Sequence, residues 1–243
     1  MQDPVERFKK LKLEGSIEVA EKVLDILEDI LKSEGKERIL NLVKIFMSEK
    51  PSMKVLEKIY TELKESRDYK FTLEKLRKNL VENVVETAKI CAHFLRKSRK
   101  ILTISNSTTV YLSLKFMKKK PKVCILESLP GGEGRILKEK LVKDGFDVRL
   151  FPDSTIFSVV EWADTVLVGA DSILKDFSVI NKIGTKTLAL VSKYLKKPFF
   201  VVADPWKFEK EDFPKETVTY NGSKIPLFEV VPSDFITAII TLR

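Results

Sequence analysis

Residues 100–126 read KILTISNSTTVYLSLKFMKKKPKVCIL, and this stretch decides the fold. It begins and ends with short apolar runs, Lys100–Ile104 and Lys122–Leu126, and the apolar residues between them have helical spacing. Further short runs rich in β-branched or aromatic residues follow at Asp147–Phe151, Thr165–Val168 and Phe199–Ala203. Strands that alternate with helices in this way predict an α/β fold, with a Rossmann-like parallel sheet and helices on both of its faces.

Upstream of this stretch, the sequence predicts helices throughout the first hundred residues. Apolar residues recur at the helical period of about 3.6 residues from Ser16 onward. Gly35 interrupts the pattern, and Thr72 is placed to cap a later, long helix. The change of period places a domain boundary near residue 98. We therefore expect a helical domain over residues 1–98 and a Rossmann-like domain over residues 99–243.

The last part of the chain predicts two small elements. Thr217–Tyr220 and Lys224–Pro226 flank Asn221-Gly222, which is a typical tight turn of a β-hairpin. The apolar residues that follow Ser233 have helical spacing, which predicts a final short helix over Phe235–Leu242.

Composition excludes several classes of protein and site. The chain has 243 residues, 44% of them hydrophobic, and no run approaches the ~20 apolar residues of a membrane span. We therefore expect a cytoplasmic protein without a membrane partner. Cys91, Cys124 and His93 are too few for a structural zinc site, which usually needs four ligands, so neither a metal nor a cofactor is expected. Cys91 lies in the apolar stripe of its helix and is expected in the core, whereas His93 lies off that stripe.

The charge balance favours anionic ligands without specifying one. Lys and Arg number 44 against 35 Asp and Glu, which gives a net charge of +9. Two short basic runs, Arg96–Lys100 and Lys118–Lys122, are more typical of solvated faces than of a nucleic-acid site, because no aromatic stacking platform accompanies them in the sequence. Nucleic acid is therefore not an expected partner. Abundant Lys and Glu beside a single glutamine, Gln2, indicate a thermophile's composition.

A hydroxyl-rich segment follows the first predicted strand. In open α/β sheets, ligands bind beyond the carboxyl ends of the strands, where helix N-termini also point. Ser105, Asn106, Ser107 and Thr108 stand at that position and open a helix, so their hydroxyls and the free backbone N–H groups predict a phosphate cradle. The alternative is N-capping alone, which needs one such residue.

Other candidate ligand residues follow later strands. Glu127 begins a glycine-rich turn after the second strand, and Asp171 comes directly after the fourth. Asn181 and Lys182 are predicted to open another helix. Asp171 could hold a hydroxyl, and the Asn181-Lys182 pair could hold an anion. These clusters are expected to converge on one sheet edge and to form a pocket for a nucleotide or a sugar phosphate.

Three segments resemble a known family. They are Val168–Ile173 (VGADSI), Val179–Thr185 (VINKIGT) and Lys197–Ala203 (KPFFVVA), and Glu127–Pro130 and Pro226–Thr241 also fit. The pattern is similar to the shared core of the alpha, beta and delta regulatory subunits of translation initiation factor 2B, with their archaeal relatives, and of the isomerases that act on methylthioribose-1-phosphate and ribose-1,5-bisphosphate. The resemblance implies a helical N-terminal domain on a Rossmann-like C-terminal domain. It also implies a homodimer or a higher homo-oligomer, and a translation initiation factor 2 subunit as a partner.

The resemblance also implies which branch this chain follows. The isomerases carry a catalytic Cys after the first strand, where this chain has Ser105, and a hydroxyl is far less acidic than a thiol of pKa ~8.5. They also carry an Arg where this chain has Leu129, and another where it has Glu14, although Asp171 is retained. We therefore expect a non-catalytic regulatory protein. An aldose-ketose isomerase that uses Asp171 is the alternative.

Overall fold

The computed structural model describes residues 3–11, 15–32, 36–211 and 216–242. Gly35, predicted to interrupt a helix, and Glu14, matched to an isomerase Arg, lie outside these residues.

The first part of the described chain is helical. Its helices are α1 (Pro4–Lys9), α2 (Ser16–Leu31), α3 (Lys36–Glu49), α4 (Lys54–Glu65) and α5 (Tyr69–Phe94). Their apolar faces form one cluster, the helical cluster, which includes Phe46 and Leu56 and reaches Val84 on α5. The predicted Thr72 cap is wrong: the cap is Asp68, four residues earlier, and its side chain accepts a hydrogen bond from the Phe71 N–H at 3.1 Å.

A parallel sheet of six strands follows. Its strands are β1 (Lys100–Ile104), β2 (Lys122–Leu126), β3 (Val148–Phe151), β4 (Thr165–Val168), β7 (Phe199–Val202) and β11 (Ala238–Ile240). They lie in the order β11-β7-β4-β1-β2-β3, and every pair is parallel. The predicted α/β class and the five predicted strands are confirmed. From β1 the chain forms β2 and β3 on one side of β1, and then crosses to β4 on the other side of β1. The topological switch point therefore lies between β1 and β4.

Helices cover both faces of this sheet. They are α6 (Thr108–Phe116), α7 (Gly134–Lys143), α8 (Ile156–Trp162) and α9 (Thr185–Tyr194). Residues of α8 and α9 pack with Leu102 and Cys124 on one face, whereas α6, α7 and the end of α5 pack with Ile101 and Val123 on the other. Cys91 is buried in the core on the face covered by α6 and α7, as predicted.

Two small antiparallel units lie beyond the main sheet. One has the strand order β10-β6-β5, from β5 (Ser172–Ile173), β6 (Val179–Lys182) and β10 (Phe228–Val231). The other is the predicted hairpin of β8 (Thr217–Tyr220) and β9 (Ser223–Pro226), in which Asn221 and Gly222 both have positive φ, as a type I′ turn requires.

The predicted final helix is wrong. Ser233–Phe235 form a single 3-10 turn, and the next residues form β11 at the edge of the main sheet, parallel to β7. Ile239 and Ile240 pack into the two opposite cores of the sheet, which alternate side chains of a strand can do. The domain boundary near residue 98 stays a prediction, since α5 contributes Val84 to the helical cluster and Cys91 to the core beside the sheet.

Candidate functional site

The segment after β1 combines a sharp turn with the start of a helix. Ser105 has a φ of 68°, so the chain turns sharply where the strand ends. Ser107 caps α6, with its Oγ accepting from the Val110 N–H at 3.3 Å. The N–H group of Thr108 begins the helix and has no acceptor within it, which leaves it available to an anion. The Oγ1 atom of Thr108 is buried and has no hydrogen-bond partner in the described part of the chain.

The end of β4 packs directly against this segment. A Cβ atom on Gly169 would lie 2.4 Å from Ser107 Oγ, so a larger residue would collide there. This close approach brings Asp171 to the hydroxyl-rich segment across the topological switch point between β1 and β4.

The two strand ends and the beginning of α2 enclose a small polar cavity, which we call the switch-point cavity. Its volume is about 40 Å³, enough for roughly three waters. Six predicted residues line it together: Ser105, Asn106, Ser107, Thr108, Asp171 and Asn181. Gly15 and Ser16 complete it from the helical part of the chain.

Two predicted residues, Glu127 and Lys182, do not line the cavity. Glu127 accepts a hydrogen bond from Arg135 at 2.9 Å. Asn181 and Lys182 lie at the end of β6 rather than at a helix start, and the Lys182 ammonium forms a buried ion pair with Glu133. Lys182 is therefore a neighbour of the cavity and has its own counter-ion.

Lys207 is a cavity residue that sequence reasoning missed. It lies in a 3-10 turn after β7, is almost completely buried, and donates to the Ala170 carbonyl at 2.5 Å. Asp204, in the same turn, places Oδ2 3.9 Å from the Lys207 ammonium and accepts from the Trp206 N–H at 3.1 Å. The signal for both was their position directly after the predicted strand Phe199–Ala203.

The electrostatics of the cavity centre on Asp171. Its withdrawal from water raises the pKa of this carboxyl above the ordinary value, against the opposing effects of Lys207 and Lys182. A carboxyl with a raised pKa can exchange a proton closer to neutrality. The cavity therefore offers hydroxyls, amides and a lysine to an anion, and one acid that can accept or donate a proton.

A thiol is missing from this cavity. The chain has two cysteines, and both are buried in the cores of the sheet. Burial raises the pKa of Cys91 to about 12 and that of Cys124 to about 11, so both are held as neutral thiols near pH 7. Within the described ranges, no group of three or more His, Cys, Asp or Glu side chains could hold a metal ion.

The sequence matches the family model described as the initiation factor 2 subunit family over residues 9–242. The chain belongs to this family. A translation initiation factor eIF-2B subunit 2-like protein of Pyrococcus furiosus is 29% identical, over 98% of this chain and 92% of the relative. A ribose 1,5-bisphosphate isomerase of Methanocaldococcus jannaschii is 32% identical, over 66% of this chain and 58% of the isomerase. This chain is thus similar both to proteins named as translation factors and to a sugar-phosphate isomerase.

Solved structures agree with this assignment. The translation initiation factor eIF-2B of Pyrococcus horikoshii superposes with a TM-score of 0.90 at 25% identity, over 99% of this chain and 95% of that one. Two others share the fold at lower identity. The tetrameric eIF2B-beta2-delta2 complex of C. thermophilum gives a TM-score of 0.80 at 16% identity, over 99% of this chain and 91% of that one. The 5-methylthioribose 1-phosphate isomerase of P. horikoshii gives 0.72 at 22% identity, over 98% and 82%. The eIF2B-beta2-delta2 complex is itself a tetramer. In the described part of this chain, no helix is long and apolar enough to cross a membrane.

Proposed function

We propose that this protein is a non-catalytic, initiation factor 2B-like regulatory protein of the cytoplasm, which binds the phosphate group of a nucleotide or sugar phosphate in the switch-point cavity. The observation that carries the proposal is the cavity's lining of hydroxyls without a thiol, since both cysteines lie buried elsewhere. The related isomerases, by resemblance, use a Cys at the position of Ser105. A serine there can donate a hydrogen bond but is too weak an acid to replace a thiol near neutrality.

The donors that line the cavity support a phosphate as the ligand. The start of α6 with the Thr108 hydroxyl, and the Lys207 side chain, line one small volume. A helix N-terminus together with a cation favours an anion. The cavity is too small for a whole nucleotide or sugar phosphate, so we expect the part of the ligand beyond its phosphate group to lie outside it or to widen it on binding.

Thermal unfolding with nucleoside monophosphates and pentose phosphates tests this proposal. A ligand at one hundred times its Kd adds about 2.7 kcal/mol to the free energy of unfolding, and we expect a rise in Tm of roughly 5–10 °C. Thr108→Val should reduce this rise, because it removes the cavity hydroxyl with little change in volume. Thr61→Val, on an exposed face of α4, is the matched control and should leave the rise unchanged. The absence of a shift with every compound, or equal shifts for the two variants, contradicts the proposal.

An aldose-phosphate to ketose-phosphate isomerase is the second candidate. The raised pKa of Asp171 favours it, because such a carboxyl can move a proton between neighbouring carbon or oxygen atoms of a sugar. Incubation with ribose 1,5-bisphosphate or methylthioribose-1-phosphate, followed by product analysis, decides between the two. Turnover that Asp171→Asn abolishes would replace the regulatory proposal with the enzymatic one.

Self-association belongs to the same proposal, together with binding to an initiation factor 2 subunit. The outer faces of α8 and α9 expose three large apolar side chains: Phe157 (50% exposed), Leu190 (52%) and Tyr194 (75%). We expect a homodimer in light scattering, which Leu190→Glu with Tyr194→Glu should convert to a monomer. Phe71→Glu, at another exposed apolar residue on α5, is the control and should leave the mass unchanged. A monomeric unmodified chain contradicts this part of the proposal.

A further inference from the structure

The two basic runs that are separate in the sequence lie side by side in the structure. Parallel pairing of β1 with β2 places Lys100 opposite Lys122, and the Lys122 N–H donates to the Arg99 carbonyl at 2.8 Å. The end of α5 and the segment before β2 thereby enclose a second cavity of about 780 Å³, within the range of about 300–1,000 Å³ that is typical of ligand pockets. We call it the basic cleft. Its lining includes six cations: Lys89, Arg96, Lys97, Arg99, Lys118 and Lys119.

Most of the charge in the basic cleft is uncompensated. No acidic residue is among those that line it, all of which belong to the described chain. Glu86 pairs with Lys89 at 2.7 Å, and Arg96 donates to the His93 carbonyl at 3.1 Å. Lys97 and Lys118 make no ion pair with any described residue and are exposed. Cations held within a Debye length of about 8 Å repel one another, and a polyanion would relieve that repulsion.

An aromatic side chain accompanies these cations. Phe116, the last residue of α6, lines the basic cleft and is 38% exposed. No aromatic platform was expected beside the basic runs, but Phe116, two residues before Lys118, is exposed and lies beside residues of both runs. A groove of lysines and arginines with an exposed ring is the combination that single-stranded nucleic acids require, whereas an acidic peptide needs the charges alone.

The basic cleft is independent of the switch-point cavity. It lies at the amino ends of β1 and β2, whereas the cavity lies at the carboxyl ends of β1 and β4. A strand of five residues spans about 17 Å, so a ligand in one site does not fill the other.

We propose that the basic cleft binds single-stranded nucleic acid, with the backbone phosphates on its lysines and arginines and a base stacked on Phe116. The function is separate from the phosphate-ligand binding proposed above, and it needs neither the ligand nor Asp171.

Fluorescence anisotropy with labelled single strands of roughly 12 nucleotides tests this inference. Homopolymeric RNA, its DNA counterpart and an RNA duplex should be titrated between about 50 and 200 mM salt. Lys97→Glu with Lys118→Glu reverses one exposed charge from each run. We expect a loss of about tenfold or more in affinity for single strands, and a salt dependence whose slope falls by about 1.4, since each phosphate contact contributes about 0.7.

Two exposed lysines of the helical part supply the matched control. Lys64→Glu with Lys78→Glu changes the net charge by the same amount on α4 and α5, away from the basic cleft. Equal losses in the two double variants would show that net charge alone drives binding and would overturn the proposal. If circular dichroism shows that Lys97→Glu with Lys118→Glu does not fold, Lys97→Gln with Lys118→Gln replaces it.

Phe116→Leu separates nucleic acid from an acidic peptide. This variant keeps an apolar side chain but removes the ring, so it should weaken binding of single strands severalfold and leave binding of polyglutamate unchanged. Preferential binding of single strands over the duplex supports the inference for RNA, DNA or both. Polyglutamate that competes as well as the oligonucleotide, with no effect of Phe116→Leu, would identify an acidic-protein surface instead and overturn the proposal.

Discussion

At the scale of single residues, Asp171 and Lys207 form the centre of the switch-point cavity. Lys207 is held by the Ala170 carbonyl, one residue from Asp171, so the acid and the cation share one small volume. The raised pKa of Asp171 shows that the loss of water outweighs the attraction of the nearby lysines. A carboxylate kept there at neutral pH therefore costs stability, as functional groups often do.

Asp171→Asn should stabilise the fold at neutral pH. The folded pKa of Asp171 is above the unfolded value of about 3.9, so the native state binds more protons between the two pKa values and its stability falls as pH rises through that window. Asparagine does not ionise, so the variant does not lose this stability as pH rises. The gain in the free energy of unfolding should therefore be larger at pH 7 than at pH 4, as measured by urea denaturation.

Asp147→Asn, at an exposed aspartate after α7, is the control for removal of one carboxylate, and its gain at pH 7 should be smaller than that of Asp171→Asn. A gain for Asp171→Asn that is equal at the two pH values, or a loss at pH 7, would contradict the predicted direction.

Part of the candidate site could be predicted from the sequence. Ser105 to Thr108 directly follow a strand, so local order along the chain was enough to place them. Lys207 reaches the cavity from a turn after β7, and Lys182 is diverted to Glu133 by an ion pair between distant segments. Both outcomes depend on tertiary packing, which spacing along the chain does not encode.

At the scale of elements, the boundaries follow local chemistry more closely than apolar periodicity. Asp68 caps α5, although the periodicity favoured Thr72, whose hydroxyl instead lies 2.6 Å from Ser66 Oγ. The five central strands could be predicted because each is a continuous apolar run covered on both faces. The last strand could not, since Phe235, Ile236, Ile239 and Ile240 fit a helical stripe as well as a strand.

Asp68→Ala should destabilise the protein by about 0.5–2 kcal/mol, because the Phe71 N–H loses its acceptor at the start of α5. Thr72→Ala is the matched comparison. It should change stability little, since the lost hydroxyl contact is offset by the higher helix propensity of alanine. Thermal denaturation of both variants measures the difference, and a larger loss for Thr72→Ala would restore the cap that the sequence predicted.

At the scale of the whole molecule, a small polar joint connects the helical part with the sheet beside the switch-point cavity. Ser172, next to Asp171, donates to the Ser52 carbonyl at 2.5 Å and accepts from the Lys54 N–H at 3.0 Å. Glu216 accepts from the Ser52 N–H at 2.7 Å, and Lys210 forms an ion pair with Glu57. The start of α4 is therefore fixed to the same strand that follows Asp171.

Ser172→Ala should destabilise the protein by about 1–3 kcal/mol for each partner it leaves buried without a hydrogen bond. Ser192→Ala is the control, because Ser192 is equally buried but donates within its own helix, to the Leu188 carbonyl at 2.7 Å. Chemical denaturation should show a clearly larger loss for Ser172→Ala. Equal losses would mean that the joint contributes no more than a local contact.

The position of Trp206 gives the molecule an internal optical reporter. Its indole belongs to the helical cluster although it comes from the turn after β7, and its neighbour in sequence is Lys207. Trp162, the second tryptophan, is partly exposed beside Lys100. Intrinsic emission at short wavelength therefore arises mainly from Trp206, and a shift of that band would reveal any rearrangement at the cavity without an attached dye.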